Sequence, residues 1–382
     1  MKIAMLGHKR IPSREGGIEI VVEELATRMA QLGHDVTCYN RKGKHVMDKN
    51  IEENHLNEYK GVHIKPVFTI DKRGLSAMSA SFFASIKAAF SKADVVHFHA
   101  EGPCATLWIP KLFGKRCIAT IHGLDHQRAK WGKLASTYIM MGEKCAVKHA
   151  DEIIVLSKGV QEYFKETYGR KTVFIPNGVN KPKIVGPNLI QEKFKLNKDD
   201  YILYLGRIVP EKGIHYLIEA YNQIKTDKKL VIAGGSSDTD EYFEKLKEMA
   251  KNNKNIIFTG FVQGQILDEL YSNAYIYCLP SDLEGMPLSL LEAMSYGNCC
   301  LVSDIEECTS VIEDKAHIFN KSDIQSLKDK IQELLDKPKL VQGYKSESTY
   351  YICNKYNWDN IVNQTLILYK EKKNDSNSAM CK

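Results

Sequence analysis

The stretch Ala274–Asp304 reads AYIYCLPSDLEGMPLSLLEAMSYGNCCLVSD. Two short apolar runs, AYIYCLP at 274–280 and CCLVSD at 299–304, have the length and composition of buried strands, and an amphipathic helix separates them. Strands apolar along their whole length and joined through a helix belong to a parallel sheet covered on both faces. The same rhythm extends outward in both directions. YILYLG at 201–206, LVIAGG at 230–235 and NIIFTG at 255–260 precede the stretch as further strands. Nearer the N-terminus the candidates are KIAMLG at 2–7, HDVTCYN at 34–40, VHIKPV at 62–67, DVVHFH at 94–99, RCIATIH at 116–122, EIIVLS at 152–157 and TVFIPN at 172–177. Between the first two lies Ile18–Leu32, where Ile18, Val21, Val22, Leu25 and Met29 share one helical face and Gly33 marks the stop.

The rhythm lapses over 180–200, NKPKIVGPNLIQEKFKLNKDD, where prolines and charges replace the apolar spacing; the segment reads as an interdomain linker. A chain of 382 residues exceeds what a single core serves. The expected organisation is α/β: a Rossmann-like domain over 1–180, a second over 181–355, and a closing helix with a polar, frayed tail over 356–382, the helix running from Trp358 to Lys372. Two doubly wound units should enclose a cleft, with ligands beyond the carboxyl ends of the strands.

Apolar residues make up 43% and charged residues 26% of the chain, a globular balance that excludes fibrous and disordered classes. The opening MKIAMLGHKRIP is too briefly apolar for a signal peptide and no run is long enough to cross a bilayer, so a cytoplasmic location is expected. The ten cysteines include no CxxC pair and read as reduced core thiols. His97 and His99 are the only short-spaced ligand pair, and with no partner pair nearby they read as strand-end histidines. Residues 1–180 hold 27 Lys and Arg against 18 Asp and Glu, while the remainder holds 26 against 29. A basic first half suits a phosphate-bearing substrate or a membrane face; a randomly basic surface gives the same count.

Three loops carry candidate chemistry. Glu284-Gly-Met-Pro287 precedes a helix containing Glu292. Pro287, which has no N–H to leave unpaired, suits the first helical turn, Gly285 allows close backbone approach, and the free N–H groups of Gly285, Met286 and Leu288 toward the helix can receive phosphate or sugar oxygens. Glu284 ahead of the helix and Glu292 two turns inside it offer acceptor carboxylates at two depths, although a helix-start glutamate also simply complements the dipole. Leu205–Gly213, LGRIVPEKG, places Arg207 and Lys212 in a strand-to-helix loop where they can clamp a diphosphate or remain solvated charges. In the third loop, SREGGIE at 13–19, Gly16 and Gly17 leave amides at a helix start, a second phosphate seat or merely a tight turn. Glu19 reads as an acceptor contact or a dipole-favoured first-turn acid, and Arg14 flanks the same loop. His122 lies at the carboxyl edge of its strand, followed by Asp125 and His126, whose part in acceptor binding stays open. Asp238-Thr-Asp240 has a metal-binding form, but it precedes EYFEKLKEMA and reads as a helix cap. No GxxxxGK[ST] loop occurs.

GRIVPEKG and EGMPLSLLEAMSYG, in this order and separation, resemble family 4 of the retaining glycosyltransferases, GT-B enzymes with a Glu-x7-Glu signature. The resemblance covers nearly the whole chain. It implies that Arg207 and Lys212 bind the donor diphosphate, Glu284 contacts the transferred sugar, Glu292 the ribose, and Gly16 and Gly17 the donor phosphates, with His122 positioned against the donor sugar. It also implies a nucleotide-sugar donor, a glycan acceptor, a closing helix that crosses back to the first domain, and no metal or other cofactor. The bacterial cell-surface polysaccharide enzymes, some of them rhamnosyltransferases, look most similar, so a hexosyl or deoxyhexosyl group is the expected cargo. Lys111, Lys115, Arg116, Arg128, Lys130 and Lys133 interleave with Trp108, Phe113 and Trp131 in a way that suits a lipid-pyrophosphate acceptor at the inner membrane face; solvated charge around core aromatics would look the same. A sugar-nucleotide epimerase or hydrolase on the same fold, and a catalytically idle nucleotide-binding protein, are the alternatives. A nucleic-acid partner is not expected.

Overall fold

The computed structural model describes residues 1–43, 56–72, 74–127, 132–235 and 240–370. It contains two compact units, one formed by Met1–Asn177 together with the chain from Trp358, the other by Gly178–Asn357.

The first unit is built on a sheet of β1 (Lys2–Leu6), β2 (Asp35–Arg41), β3 (Glu58–Tyr59), β4 (Val62–Val67), β5 (Val95–His99), β6 (Arg116–Ile121), β7 (Glu152–Val155) and β8 (Val173–Phe174), in the order β3-β4-β2-β1-β5-β6-β7-β8. All neighbours are parallel except β3 and β4. The two-residue β3 is too short to carry any periodicity and went unread in the sequence. Every residue of β5 is buried, as a strand covered on both faces requires. The helix Gly17–Gln31 buries Val21, Val22, Leu25 and Met29 and ends where Gly33 takes a φ of 84°; Ile18, expected on the same face, is only half-buried.

The helix Trp358–Lys370 is part of this unit and packs on Gly17–Gln31. Arg28 Nη1 meets Asp359 Oδ1 at 2.7 Å, and Arg116 donates from Nε and Nη2 to the Leu368 carbonyl at 2.9 and 2.7 Å. The closing helix thus lies on the first domain, as the family resemblance implies. Residues beyond 370, read as a frayed tail, lie outside the described residues.

The second unit is built on β9 (Tyr201–Leu205), β10 (Lys229–Ala233), β11 (Ile256–Gly260), β12 (Ile276–Leu279), β13 (Cys299–Ser303) and β14 (His317–Phe319), wholly parallel in the order β11-β10-β9-β12-β13-β14. Strand β14 was missed because its three residues contain one buried side chain, too little for a pattern. Segment 180–200 is not a bare linker. Leu189–Phe194 is helical, Ile190 and Leu196 are buried, and Glu269 Oε2 accepts the Asn188 and Ile190 amides at 2.9 Å each. The anchoring carboxylate sits some eighty residues away in sequence, so nothing local announces this helix.

Among the described residues, no helix is long and apolar enough to cross a membrane. Among the described residues the cysteines are free thiols; burial raises those of Cys38, Cys278, Cys299 and Cys300 and keeps them protonated.

Candidate active site

In each sheet the chain first moves to one side of its opening strand and then returns to the other. That reversal falls between β1 and β5 in the first unit and between β9 and β12 in the second. At such a switch point the loops after two adjacent strands part and leave room for a ligand.

In the second unit the loops in question are 206–213, after β9, and 280–287, after β12. They are tied together. Gly213 has a φ of 64°, and a Cβ there would stand 1.9 Å from the Pro280 carbonyl oxygen, so only glycine fits. The Asp282 amide donates to the Glu211 carbonyl at 2.9 Å. Lys212 Nζ, from the first loop, donates to Glu284 Oε1, from the second, at 2.5 Å, and Ser281 Oγ donates to the same oxygen at 2.7 Å. Both charged side chains are mostly buried, with 14% of Lys212 and 6% of Glu284 exposed, so each depends on the other, and removing either leaves a buried, uncompensated charge. Arg207 lies on the same loop, half-buried, and its carbonyl accepts the Tyr204 hydroxyl at 2.9 Å.

The helix after the second loop runs Leu288–Ser295. Pro287 is therefore the residue before the helix, not its first turn: with ψ at 98° it is still extended, and its carbonyl accepts the Leu290 and Leu291 amides. Glu292 consequently stands one turn inside the helix rather than two. Its Oε2 accepts the Tyr271 hydroxyl at 3.2 Å, and Tyr271 stacks on Tyr296 with ring centroids 5.2 Å apart. Gly285 and Pro287 are buried, while Met286 and Leu288 pack partly against the core. Neither Ser281 nor Tyr271 was singled out in the sequence. Ser281 lies three positions before Glu284 and could have been noticed; Tyr271 comes from a different helix and could not.

In the first unit Gly16 is extended and precedes the helix that Gly17 begins. Glu19, considered as an acceptor contact, is 6% exposed, and its Oε1 accepts the Lys9 amide at 2.9 Å, so this carboxylate fastens the loop to the helix. Arg14 is exposed. His122 follows β6, and its Nε2 lies 3.1 Å from His99 Nδ1. His97, its ring tilted 35° to that of His99 with centroids 4.1 Å apart, bonds through its two ring nitrogens to Tyr369 and Thr120 at 2.6 and 2.7 Å. These are interior histidines, not an exposed ligand pair: burial holds His97 down to about 3 and His8, bonded to Asn40, to about 4. The Asp125 amide donates to Glu101 Oε2 at 2.8 Å.

The basic cluster read from sequence is largely engaged elsewhere. Lys111 pairs with Asp151 at 2.6 Å, Lys115 donates to the Ser91 carbonyl, and Arg116 holds Leu368. Arg128, Lys130 and Trp131 lie outside the described residues, as does Asp238; Asp240 opens the helix Asp240–Ala250.

The architecture defines a class. The chain is similar to HepE from Anabaena, determined in complex with UDP and glucose, with a TM-score of 0.80 at 15% identity over 96% of this chain and 98% of that one. It is similar also to WaaG, a glycosyltransferase involved in lipopolysaccharide biosynthesis, with a TM-score of 0.77 at 16% identity over 97% and 100%. These likenesses give the fold, GT-B. Residues 15–181 match the model of Glycosyltransferase Family 4, and residues 187–373 match that of Glycosyl transferases group 1. An uncharacterized glycosyltransferase of Methanocaldococcus jannaschii is 27% identical over 97% of this chain and 98% of its own. The chain belongs to the GT-B glycosyltransferases, with a family 4 domain in its first half and a group 1 domain in its second.

Proposed function

We propose that the protein transfers a hexosyl or deoxyhexosyl group from a nucleotide sugar to a hydroxyl of a glycan, with retention at the anomeric carbon. The observation that carries this reading is the Lys212–Glu284 pair across the switch point of the second unit. In it the cation suited to a diphosphate is stored against the carboxylate suited to sugar hydroxyls. A donor entering beyond β9 and β12 offers Lys212 a stronger anionic partner. Glu284, still held by Ser281, then turns its acceptor capacity to the sugar. Arg207 and Lys212 stabilise the charge that grows on the departing nucleoside diphosphate as the bond from the anomeric carbon to phosphate oxygen breaks. The acceptor oxygen bonds to that carbon, and its proton passes to the departing phosphate, so the step calls for no metal. Glu292, oriented by Tyr271, takes the ribose; Gly285, Met286, Pro287 and Leu288 form the wall between the two acids. Gly16, Gly17 and His122 keep the donor contacts that the resemblance gives them, and Arg14 and Asp125 remain acceptor candidates.

The UDP-bound state of HepE and the lipopolysaccharide role in the name of WaaG support a nucleotide-sugar donor and a bacterial surface glycan, of capsule or O-antigen type, as product. The acceptor we favour is lipid-pyrophosphate-linked, reached by peripheral contact with the inner membrane. Phe68, Phe83 and Phe82 are exposed and meet edge to face, and Phe90 meets Phe113 at 4.7 Å. Such amphipathic surface suits an interface better than open water.

Incubation with UDP-, GDP- and dTDP-sugars and a lipid-pyrophosphate glycan, with and without chelator, tests the reading. Mass analysis should show one sugar added, and NMR should show the donor's anomeric configuration kept. Lys212→Ala and Glu284→Ala should each lower kcat/KM by about 10²–10³-fold, the scale of removing one transition-state charge contact. Near-normal rates in both would dismiss the site. Donor consumption at full rate without acceptor would favour a hydrolase or epimerase, and a strict metal requirement would reject the metal-free step.

A further inference from the structure

The first unit holds three buried polar atoms that are all without a hydrogen-bond partner and face one another. They are Glu101 Oε1, His126 Nδ1 and Glu143 Oε2, and the three residues each bring one possible ligand atom to within 4.8 Å of the other two. His126 Nδ1 lies 3.8 Å from the Glu101 oxygen and 3.5 Å from the Glu143 oxygen. Both glutamates are fully buried and the imidazole is 15% exposed. Glu101 caps the turn after β5, His126 stands in the turn Asp125–Gln127 after β6, and Glu143 sits within the helix Lys133–His149. That helix approaches the first of these turns closely, since a Cβ on Gly142 would stand 2.1 Å from the Glu101 carbonyl oxygen.

Each carboxylate has one oxygen committed and one left over. Glu101 Oε2 accepts the Asp125 amide at 2.8 Å. Glu143 Oε1 accepts the Tyr163 hydroxyl at 2.9 Å and the Tyr168 hydroxyl as well. The outer oxygens are thus fixed by protein donors, and the inner ones are aimed at each other and at an imidazole nitrogen. Two facing, buried carboxylates are costly unless a proton or a cation sits between them, and unpaired buried acceptors are rare in folded proteins. The arrangement also has the form of a metal site with its outer partners in place: hydrogen bonds to the distal oxygens orient ligands whose proximal atoms converge.

We propose that Glu101, His126 and Glu143 bind one divalent transition cation of the zinc class through Glu101 Oε1, His126 Nδ1 and Glu143 Oε2. Two carboxylates, one neutral imidazole and a dication sum to no net charge, which suits a buried site. An ion about 2.0–2.2 Å from nitrogen and oxygen ligands sets neighbouring ligands about 3.4 Å apart in a tetrahedron, near the separations observed from His126. A water would complete the fourth position. The nitrogen donor favours zinc, or manganese, over magnesium. The ion would pin the turn that follows His122 to the helix Lys133–His149. It holds structure and takes no part in the transfer step, so it stands or falls independently of the proposed reaction.

The experiment uses the full-length protein, freed of any affinity tag and stripped with chelator. It is offered equimolar Zn²⁺, Mn²⁺ or Mg²⁺, then passed over a desalting column. Retained metal is counted by mass spectrometry and thermal unfolding is followed at pH 7.5. Close to one zinc or manganese per chain, with a melting temperature raised by several degrees, is expected. Magnesium should be lost on the column. His126→Ala, at the most exposed ligand, and Glu143→Gln should retain less than a tenth as much metal and lose the thermal shift while far-UV circular dichroism stays unchanged. Glu101→Gln separates the proposal from a pair of acids sharing a proton. With a metal site the variant is no longer stabilised by zinc, whereas a shared proton predicts the same melting curve with and without zinc for wild type and variant alike. Failure of the wild type to retain metal or to shift, or full retention by His126→Ala, overturns the proposal.

Discussion

Glu284 Oε1 accepts from two side chains, Lys212 and Ser281, and the neutral one is the easier to test. Ser281→Ala leaves the charge pair intact and removes only its alignment, so kcat/KM should fall about tenfold, short of the loss on removing Glu284 itself, the low end of the about 1.5–3 kcal/mol that a hydrogen bond to a charged group is worth. A steady-state comparison of the two variants checks the ranking, and equal losses would contradict it. Gly213→Ala should act on the fold first. Its Cβ would press on the Pro280 carbonyl in a left-handed backbone, and the two loops of the switch point would have to separate. A loss of about 1–3 kcal/mol or more is expected from the strain, read as a lower melting temperature and a weaker response to added nucleotide diphosphate. The acids and cations of this site were legible in the sequence because loop chemistry lies in consecutive residues. The groups that aim them were not: Tyr271 reaches Glu292 from 21 positions away.

At the level of elements, most strands declared themselves through unbroken apolar runs, and β12 is buried at all four residues for that reason. What failed was anything whose evidence lay elsewhere in the chain. Helix Leu189–Phe194 hides in a run of prolines and charges because its first amides are satisfied by Glu269. Glu269→Ala should leave the Ile190 amide buried and unpaired, with the Asn188 amide also losing its partner, and cost about 1–3 kcal/mol. Hydrogen exchange should show faster exchange over 188–196 in that variant, with the protection of β1 unchanged. Equal protection of 188–196 in variant and wild type would mean that the helix is held by Ile190 and Leu196 alone. The shift of the helix start past Pro287 has a similar origin. Proline permits a helix to begin but does not oblige it to, and here the extended ψ of 98° prolongs the loop.

For the molecule as a whole, the interior histidines of the first unit set a limit on the acid side. His8 and His97 are neutral when folded, with burial holding them to about 4 and about 3. A free histidine takes a proton near 6.5. Below that value the unfolded chain binds more protons than the folded one, so stability is full above 6.5 and declines as pH falls toward 4. At pH 5.5 each of the two should cost about 1.4 kcal/mol. Melting curves at pH 7.5, 6.5 and 5.5 should show the loss begin near 6.5; an unchanged melting temperature at 5.5 would show that the imidazoles gain a compensating partner on protonation.

Tyr369 bonds to His97 and Leu368 to Arg116, so the sheet of the first unit is covered by a helix that follows the whole second unit in sequence. The second unit, Gly178–Asn357, is continuous in sequence. On the ribosome the usual order is therefore reversed. The half made first waits with the face of its β5–β6 pair uncovered until the helix Trp358–Lys370 has emerged, and the half made later can close before it. A stop codon anywhere after Asn357 and before Tyr369 would spare the second unit and strike the first, although the first unit's sheet is made long before it.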